Sequence, residues 1–178
     1  MSVAPTIDIA PLICEPATIA ELAQLLVATV AAGGSVSFMH PLSRADAEAF
    51  WRGSLAAAER GERIVLGGRV AGRIVATVTL MFAPWPNQPH RAEVAKLMTA
   101  AEHRGRGIAR ALMAEAERAA AERGRTLITL DTAEEDGAAG FYERLGYVRA
   151  GLIPGYALKP HGGLTGTIFY FKRVCASA

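Results

Sequence analysis

The chain has 178 residues, of which 51% are hydrophobic and 20% are charged, a composition typical of one α/β domain with a substantial core. Its 19 basic residues are dispersed among 17 acidic ones, which argues against a face that binds nucleic acid or another polyanion. The longest uncharged apolar stretch, residues 22–32, is too short to cross a bilayer, and no export signal is visible, so we expect a cytoplasmic protein without a membrane partner.

The first half of the chain predicts two helices and three strands. The predicted elements are, in order, a strand within residues 3–14, helices over residues 16–32 and 43–60, and an antiparallel pair of strands over residues 63–66 and 73–82. Gly33-Gly34 ends the first helix, and Ser43 is a favourable N-cap for the second. We expect the two paired strands to be joined through Gly67-Gly68 and Gly72.

The second half predicts a strand–helix–strand unit. The predicted elements are a strand over residues 91–99, a helix over about residues 107–123, a strand over residues 126–131, a short helix over residues 137–145, a strand from residue 147 and a final strand near residues 167–171. Two strands joined by a helix through short turns become parallel neighbours by a right-handed crossover. In the first of these strands, alternation puts one set of residues on one face (Glu93, Ala95 and Leu97) and another set on the opposite face (Val94, Lys96 and Met98).

The turn before the long helix carries the clearest chemical signal. Gly105 and Gly107 allow close approach of a ligand to the backbone, and the helix that follows offers unpaired N–H groups. With Arg104, Arg106 and Arg110 around it, the turn can form a cradle for a phosphate or pyrophosphate. No Gly-Lys-Ser/Thr follows, as a Walker loop requires, and only two of the three Rossmann glycines are present. The alternative is an ordinary tight turn with solvated arginines.

Two segments resemble the GNAT superfamily of N-acetyltransferases. Arg104-x-x-Gly107-x-Ala109 matches its cofactor motif, and Phe141-Tyr142-x-x-x-Gly146-Tyr147 is similar to its second hallmark, an aromatic block on a short helix that enters a strand. Further segments resemble the branch that contains the tabtoxin resistance protein, which acetylates a β-lactam dipeptide toxin. Those segments are residues 130–132, 141–142, 153–158 and 167–172. The resemblance covers about residues 91–173.

The resemblance implies a fold and a cofactor. We expect a single domain over residues 1–178, with a mixed, mostly antiparallel sheet that is splayed between two parallel strands at Leu97 and Leu130 and flanked by helices. Acetyl-CoA is expected to lie in the splay, with its pyrophosphate on the turn and its pantetheine arm paired to the strand like an added strand. The residues implied to bind it are Leu97, Met98, Thr99, Arg104, Gly105, Arg106, Gly107, Ile108, Ala109 and Arg110. Many members carry Asn seven residues before the tyrosine, whereas this chain has Glu135.

Acetyl transfer to an amine needs an unprotonated nucleophile, a polarised thioester and a proton for the departing thiolate. Tyr142 is the candidate for the proton, with core packing as the alternative. Glu93 and Asp131 are candidate bases acting through water or a raised pKa, or anchors for a cationic substrate. The structural alternatives are a solvated strand residue for Glu93 and a cap of the following loop for Asp131.

The expected acceptor is a primary amine of a small molecule, either amino acid-like or antibiotic- or toxin-like. A protein N-terminal or lysine acetyltransferase and a non-catalytic CoA-binding sensor remain as alternatives. The four histidines are scattered, and the two cysteines have no ligand spacing, so we predict no metal and two free thiols. The final strands are candidates for a homodimer contact, as in many relatives.

Overall fold

The computed structural model describes residues 7–136 and 139–175. Within these residues, seven strands form one sheet in the order β1-β2-β3-β4-β5-β7-β6. The strands are β1 (Asp8–Pro11), β2 (Arg63–Val70), β3 (Arg73–Phe82), β4 (Arg91–Thr99), β5 (Leu127–Ala133), β6 (Val148–Leu158) and β7 (Leu164–Arg173). The helices are α1 (Pro16–Ala31), α2 (Arg44–Glu59), α3 (Ile108–Glu122) and α4 (Ala139–Arg144). The predicted α/β architecture is confirmed, and the parallel pair in an otherwise antiparallel sheet is β4–β5.

Two hydrophobic cores lie on opposite faces of the sheet. Helices α1 and α2 cover one face around Trp51 and Leu26, and α3 covers the other around Leu112 and Met113. Helix α2 begins where the sequence predicts, because the hydroxyl of Ser43 accepts a hydrogen bond from the backbone N–H of the third helical residue at 3.0 Å. None of the described helices is both long and apolar enough to span a membrane.

The predicted ends of several elements change in the structure. Of the predicted first strand, residues 3–6 lie outside the described residues, and of the short helix before β6, Gly137 and Ala138 do. The strand predicted from residue 147 begins at Val148, and the final strand is longer than the predicted residues 167–171. Cys14 and Cys175 are free thiols, as expected.

The hairpin of β2 and β3 differs from its prediction. Gly67 and Gly68 lie inside β2, and the turn consists of Ala71 and Gly72, which have φ angles of 49° and 80°. A Cβ at position 67 would come within 2.6 Å of the Leu12 side chain. The glycine therefore serves close packing of β1 against β2 and does not mark the end of the strand.

Strand β4 contains a bulge that the sequence pattern did not reveal. Thr77 pairs with Met98 but Thr79 pairs with Ala95, so β4 has one residue more than β3 over this span. At this point Lys96 has a φ of 53°. As a result, Val94 belongs to the core under α3 whereas Met98 belongs to the core under α1 and α2. The predicted faces are wrong beyond Ala95, because a bulge reverses the alternation that follows it.

The splay of the sheet is confirmed. The parallel register of β4 and β5 joins residues 91–93 to residues 127–129 and goes no further. Beyond this point β5 continues to pair with β7 as far as Ala133. Leu97 and Leu130 therefore lie past the last paired residues, where the two strands diverge.

Candidate active site

A cleft of about 670 Å³ opens where β4 and β5 diverge. Its lining includes residues 93–99 of β4, Asp131 and Thr132 of β5, residues 32–37 between α1 and α2, Arg104 and Ala109 beside the start of α3, and Phe141 and Tyr142 of α4. The structure thus brings together the three predicted catalytic candidates and the strand segment at residues 97–99. The remaining predicted cofactor residues are not in the lining: Gly105, Arg106 and Gly107 lie in the turn, and Ile108 and Arg110 lie in the first turn of α3.

The turn that opens α3 has the features of an anion site. The first N–H groups of a helix have no intrahelical partner, and here the N-cap, Gly107 with φ 78°, provides no side chain to accept from them. A Cβ at Gly105 or Gly107 would meet no protein atom within 4 Å, so the space in front of both is open. Arg104 ties this turn to the end of β4 by donating from Nε to the carbonyl of Thr99 at 3.2 Å. An anion in this space would meet backbone donors and the positive end of the helix dipole.

Around this turn the side chains divide into two kinds. Arg104, Arg106 and Arg110 are exposed, whereas Ile108 is 5% exposed and packs in the core under α3. Ile108 can therefore contribute only its main chain to a ligand, which is the role that the resemblance implies for it.

One edge of β4 is available beside the turn. Residues 97–99 line the cleft, and among the described residues their side facing β5 has no strand partner, because the parallel register ends at Glu93. On the other side, Met98 and Thr99 pair with β3, and Leu97 lies in the bulge. An extended ligand that carries amide groups can bind such an edge by main-chain hydrogen bonds.

Tyr142 both packs in the core and faces the cleft. Its side chain is 7% exposed and its ring contacts those of Phe141, Tyr147 and Tyr170, with centroids 5.2, 6.0 and 5.9 Å away. Burial, with a contribution from the charge of Asp131, raises the pKa of Tyr142 to about 12. The phenol therefore keeps its proton throughout the neutral range, and as a lining residue Tyr142 can donate a hydrogen bond to a ligand in the cleft. The two interpretations of this tyrosine from the sequence are compatible.

Two carboxylates face the cleft from neighbouring strands. Glu93 is the last residue of β4 that pairs with β5, and its carboxylate lies 3.3 Å from the Arg91 guanidinium with 40% of the side chain exposed. Asp131 lies within β5, opposite Phe169 of β7, and does not cap a loop, which corrects that alternative. Partial desolvation and the charge of Glu93 raise the pKa of Asp131, while Lys96 opposes the rise.

The sequence profile of the acetyltransferase (GNAT) family matches residues 33–147, which is more than half of the chain. The chain belongs to this family. Solved structures show the same fold across nearly the whole chain. They include a protein from Acinetobacter baylyi ADP1 (TM-score 0.82, 17% identity, 98% of this chain and 95% of that one). A ribosomal-protein-alanine N-acetyltransferase from Brucella melitensis is similar (TM-score 0.77, 20% identity, covering 93% of this chain and 99% of that one). So is a Salmonella typhimurium protein solved with its cofactor acetyl-CoA (TM-score 0.77, 14% identity, 97% and 96%).

Lys96 is a cleft residue that sequence reasoning missed in this GNAT-family protein. Its Nζ donates to the hydroxyl of Ser37 at 3.0 Å and lies 5.9 and 5.8 Å from the ring centres of Phe38 and Phe50. Burial lowers the pKa of Lys96, against the opposing charges of Asp131 and Glu93. A signal was present in the sequence, since the predicted alternation placed a lysine on the same face as Val94 and Met98.

Glu135 and the histidines, which also stand out in the sequence, lie outside the set of catalytic candidates. Glu135, which replaces the Asn of many family members, forms an ion pair with Lys159 at 2.7 Å and does not line the cleft. The scattered histidines include one close pair, His40 and His161, whose ring centroids are 4.6 Å apart. The described residues contain no group of three or more side chains suited to a metal ion.

We expect Asp131→Asn to raise the free energy of unfolding at about pH 7. The folded state holds the pKa of Asp131 above its ordinary value. Ionisation of this carboxyl therefore lowers the stability as the pH rises from the ordinary pKa through the raised one. Asparagine removes the charge, and its advantage should vanish below about pH 4, where the carboxyl is protonated in both folded and unfolded states. Thermal unfolding at both pH values measures this difference, with the exposed Asp8→Asn as the control for loss of a surface carboxylate. An advantage of Asp131→Asn that is equal at both pH values would contradict the prediction.

Proposed function

We propose that this protein is an acetyl-CoA-dependent N-acetyltransferase that moves the acetyl group directly to a primary amine of a small molecule. The observation that carries the proposal is the cleft itself. It adjoins an anion-accepting turn, runs along an unpaired strand edge and contains a buried tyrosine with two carboxylates. Membership of the acetyltransferase (GNAT) family supports it, as does a relative of the same fold solved with acetyl-CoA.

The described residues suit three parts of acetyl-CoA: the diphosphate, the pantetheine arm and the thioester. A diphosphate suits the N–H groups and arginines of the turn at residues 104–110, and an arm with two amides suits the free edge at residues 97–99. The free edge leads to Glu93, Asp131 and Tyr142, where a thioester at the end of that arm would arrive. We therefore propose the turn and the free edge as the cofactor-binding residues.

In this proposal the chain's own groups handle charge and protons. When bound, acetyl-CoA supplies a thioester carbon that an amine can attack. Glu93 and Asp131 hold the acceptor's ammonium and pass its proton on through water, and the raised pKa of Asp131 makes it the better match for this task. Tyr142 donates its O–H to the sulfur as negative charge develops there. Because the phenol has a pKa of about 12, its main contribution is the hydrogen bond rather than complete transfer of the proton.

Contacts around the cleft favour a small acceptor over a peptide. The connection between α1 and α2 forms one wall of the cleft, and it is tied to the tip of the β6–β7 hairpin. The backbone N–H of His40 donates to the carbonyl of Pro160 at 2.8 Å, and His161 contacts the carbonyl of Ala31 at 3.1 Å. These contacts bridge two segments that an extended peptide on this side would have to separate.

The chemical class of the acceptor amine is also part of the proposal. Of the segments that resemble the tabtoxin resistance branch, residues 131–132 and 141–142 line the cleft, whereas residues 153–158 lie along the exposed edge strand β6. Acetylation of an amino acid-like, antibiotic-like or toxin-like amine therefore stays a prediction. Three further expectations also stay predictions: the cytoplasmic location, the homodimer and the single domain over residues 1–178.

The test is a thiol-release assay with acetyl-CoA against free amines and N-terminally unblocked peptides. We expect release with free amines, and calorimetry should show binding of CoA and of acetyl-CoA. Release with peptides alone would favour a protein acetyltransferase. Tight cofactor binding without release for any amine or peptide would favour a non-catalytic sensor.

A further inference from the structure

We propose that Lys96 binds a carboxylate of the acceptor, so that the substrate class is an amine with a carboxylate close to its amino group. This inference rests on the proposed acetyltransferase function and adds the chemical feature that selects the acceptor. It follows from three observations on Lys96: its ionic partners, its backbone and its position relative to the two acids.

The first observation is a half-buried cation without an ionic partner. Among the described residues, Lys96 forms no ion pair within 4.0 Å, and its Nζ donates to the neutral hydroxyl of Ser37. The rings of Phe38 and Phe50 compensate in part through cation–π contacts. A cation removed from water carries a desolvation cost, and the charges of Asp131 and Glu93 offset it only in part because neither carboxylate pairs directly with the lysine. A carboxylate that enters the cleft would supply an opposite charge in direct contact with the ammonium.

The second observation is backbone strain at both ends of one hydrogen bond. Lys96 has φ 53° and Ser37 has φ 70°, and the two side chains are joined across the cleft. Residues other than glycine rarely adopt this left-handed region, and where they do, the strain marks functional sites more often than chance would allow. The bulge in β4 is what directs the lysine to this position.

The third observation is the separation of charge inside one cleft. Lys96 lines the same cleft as Glu93 and Asp131, and its charge and theirs influence each other. The acids suit an ammonium and the lysine suits a carboxylate. An α-amino acid or a close relative presents both groups, and its charge pattern is the complement of the cleft.

A purely structural role for Lys96 is the alternative. The same contacts hold the connection between α1 and α2 against β4, so loss of the lysine could loosen the cleft for every acceptor. Such loosening would lower activity equally on all amines. An anion-binding role instead changes the ratio between acceptors with and without the carboxylate, so the test measures that ratio.

The experiment compares matched acceptors with acetyl-CoA as donor. Each pair is an α-amino acid and its amide, from a set with small, acidic, basic, aromatic and sulfur-containing side chains. The amide's amine is less basic and so more available, which makes a preference for the acid a stringent result. We expect wild type to favour the acid by about 10- to 50-fold in kcat/KM, mainly through KM. Lys96→Met should bring this ratio to about 1, and Lys96→Arg should keep part of it.

Lys159→Met serves as the control for the loss of a lysine charge. Lys159→Met removes the same charge from the exposed partner of Glu135 outside the cleft, and it should keep the wild-type ratio. Equal use of acid and amide by wild type would overturn the inference while leaving the acetyltransferase proposal intact. If Lys96→Met lowers kcat/KM equally for the acid and for its amide, the inference is likewise overturned and the acetyltransferase proposal stays intact.

Binding of products tests Lys96 even without turnover. Calorimetry on the CoA-loaded protein should show the N-acetylated amino acids binding about 10-fold or more tightly than their amides, with the difference lost in Lys96→Met. If no amine is acetylated, the proposed function fails, and this binding difference alone decides whether Lys96 is an anion site. No difference between the two series would overturn that assignment.

Discussion

Tyr142→Phe is expected to lower kcat for acetyl transfer by about 100- to 1000-fold, the usual effect of removing one donor from developing negative charge. The substitution removes only the hydroxyl, and the ring contacts with Phe141, Tyr147 and Tyr170 remain. The phenol is protonated at neutral pH because burial raises its pKa to about 12. Steady-state thiol release measures the loss, and calorimetry should find the affinity for acetyl-CoA unchanged within about threefold, or less than about 1 kcal/mol.

Tyr170→Phe is the matched control for this prediction. Tyr170 belongs to the same ring cluster, is almost fully buried and bonds to Glu143 at 3.2 Å, but it does not line the cleft. Its hydroxyl can therefore affect stability but not the chemistry. A Tyr142→Phe enzyme with wild-type kcat, or an equal loss in Tyr170→Phe, would rule out Tyr142 as the donor to the leaving group.

Gly107→Ala is expected to weaken acetyl-CoA binding by about 100-fold. Gly107 has φ 78°, which alanine adopts only at a cost of about 1 kcal/mol. The turn must shift to relieve that strain. The methyl group of the alanine would also enter the open space in front of the helix. Loss of one or two hydrogen bonds to a charged group accounts for this weakening. Calorimetric titration with acetyl-CoA measures it.

Gly124→Ala separates binding from backbone strain. Gly124 follows the opposite end of the same helix with φ 67° and, like Gly107, has no protein atom within 4 Å of an added Cβ. Both variants should lose about 1 kcal/mol of unfolding free energy, but Gly124→Ala should bind acetyl-CoA like wild type. Equal affinities in the two variants would show that the turn at Gly107 does not hold the cofactor.

The order of the elements could be predicted from local physical chemistry. The N-cap at Ser43, the stop after α1 and the apolar spacing of α3 depend on residues within a few positions of each other. The strand–helix–strand order also predicts the parallel pair, because a right-handed crossover leaves the two strands as neighbours. Gly67 inside β2 shows the limit of this reasoning, since the Leu12 side chain, from a distant segment, leaves no room for a Cβ at this position.

The candidate site was predictable to the extent that its residues lie in local motifs. The turn before α3 and the Tyr142 block can be recognised in the sequence. Lys96 could be noticed as a lysine among apolar residues of the strand, but its place in the cleft depends on the register between β3 and β4, which the sequence of β4 alone does not fix. Its contact with Ser37 joins segments 59 residues apart.

The sequence by itself determined the helices, the strands and the glycine turn, because capping, alternation and left-handed glycines act over a few residues of backbone. The tertiary structure decided which polar groups share the cleft and what their pKa values become. Those properties depend on desolvation and on charges brought together from distant parts of the chain, as for Asp131, Glu93 and Lys96. A lysine in an apolar strand becomes a candidate anion site only when a bulge directs it across a cleft in which no described acid lies close enough to pair with it.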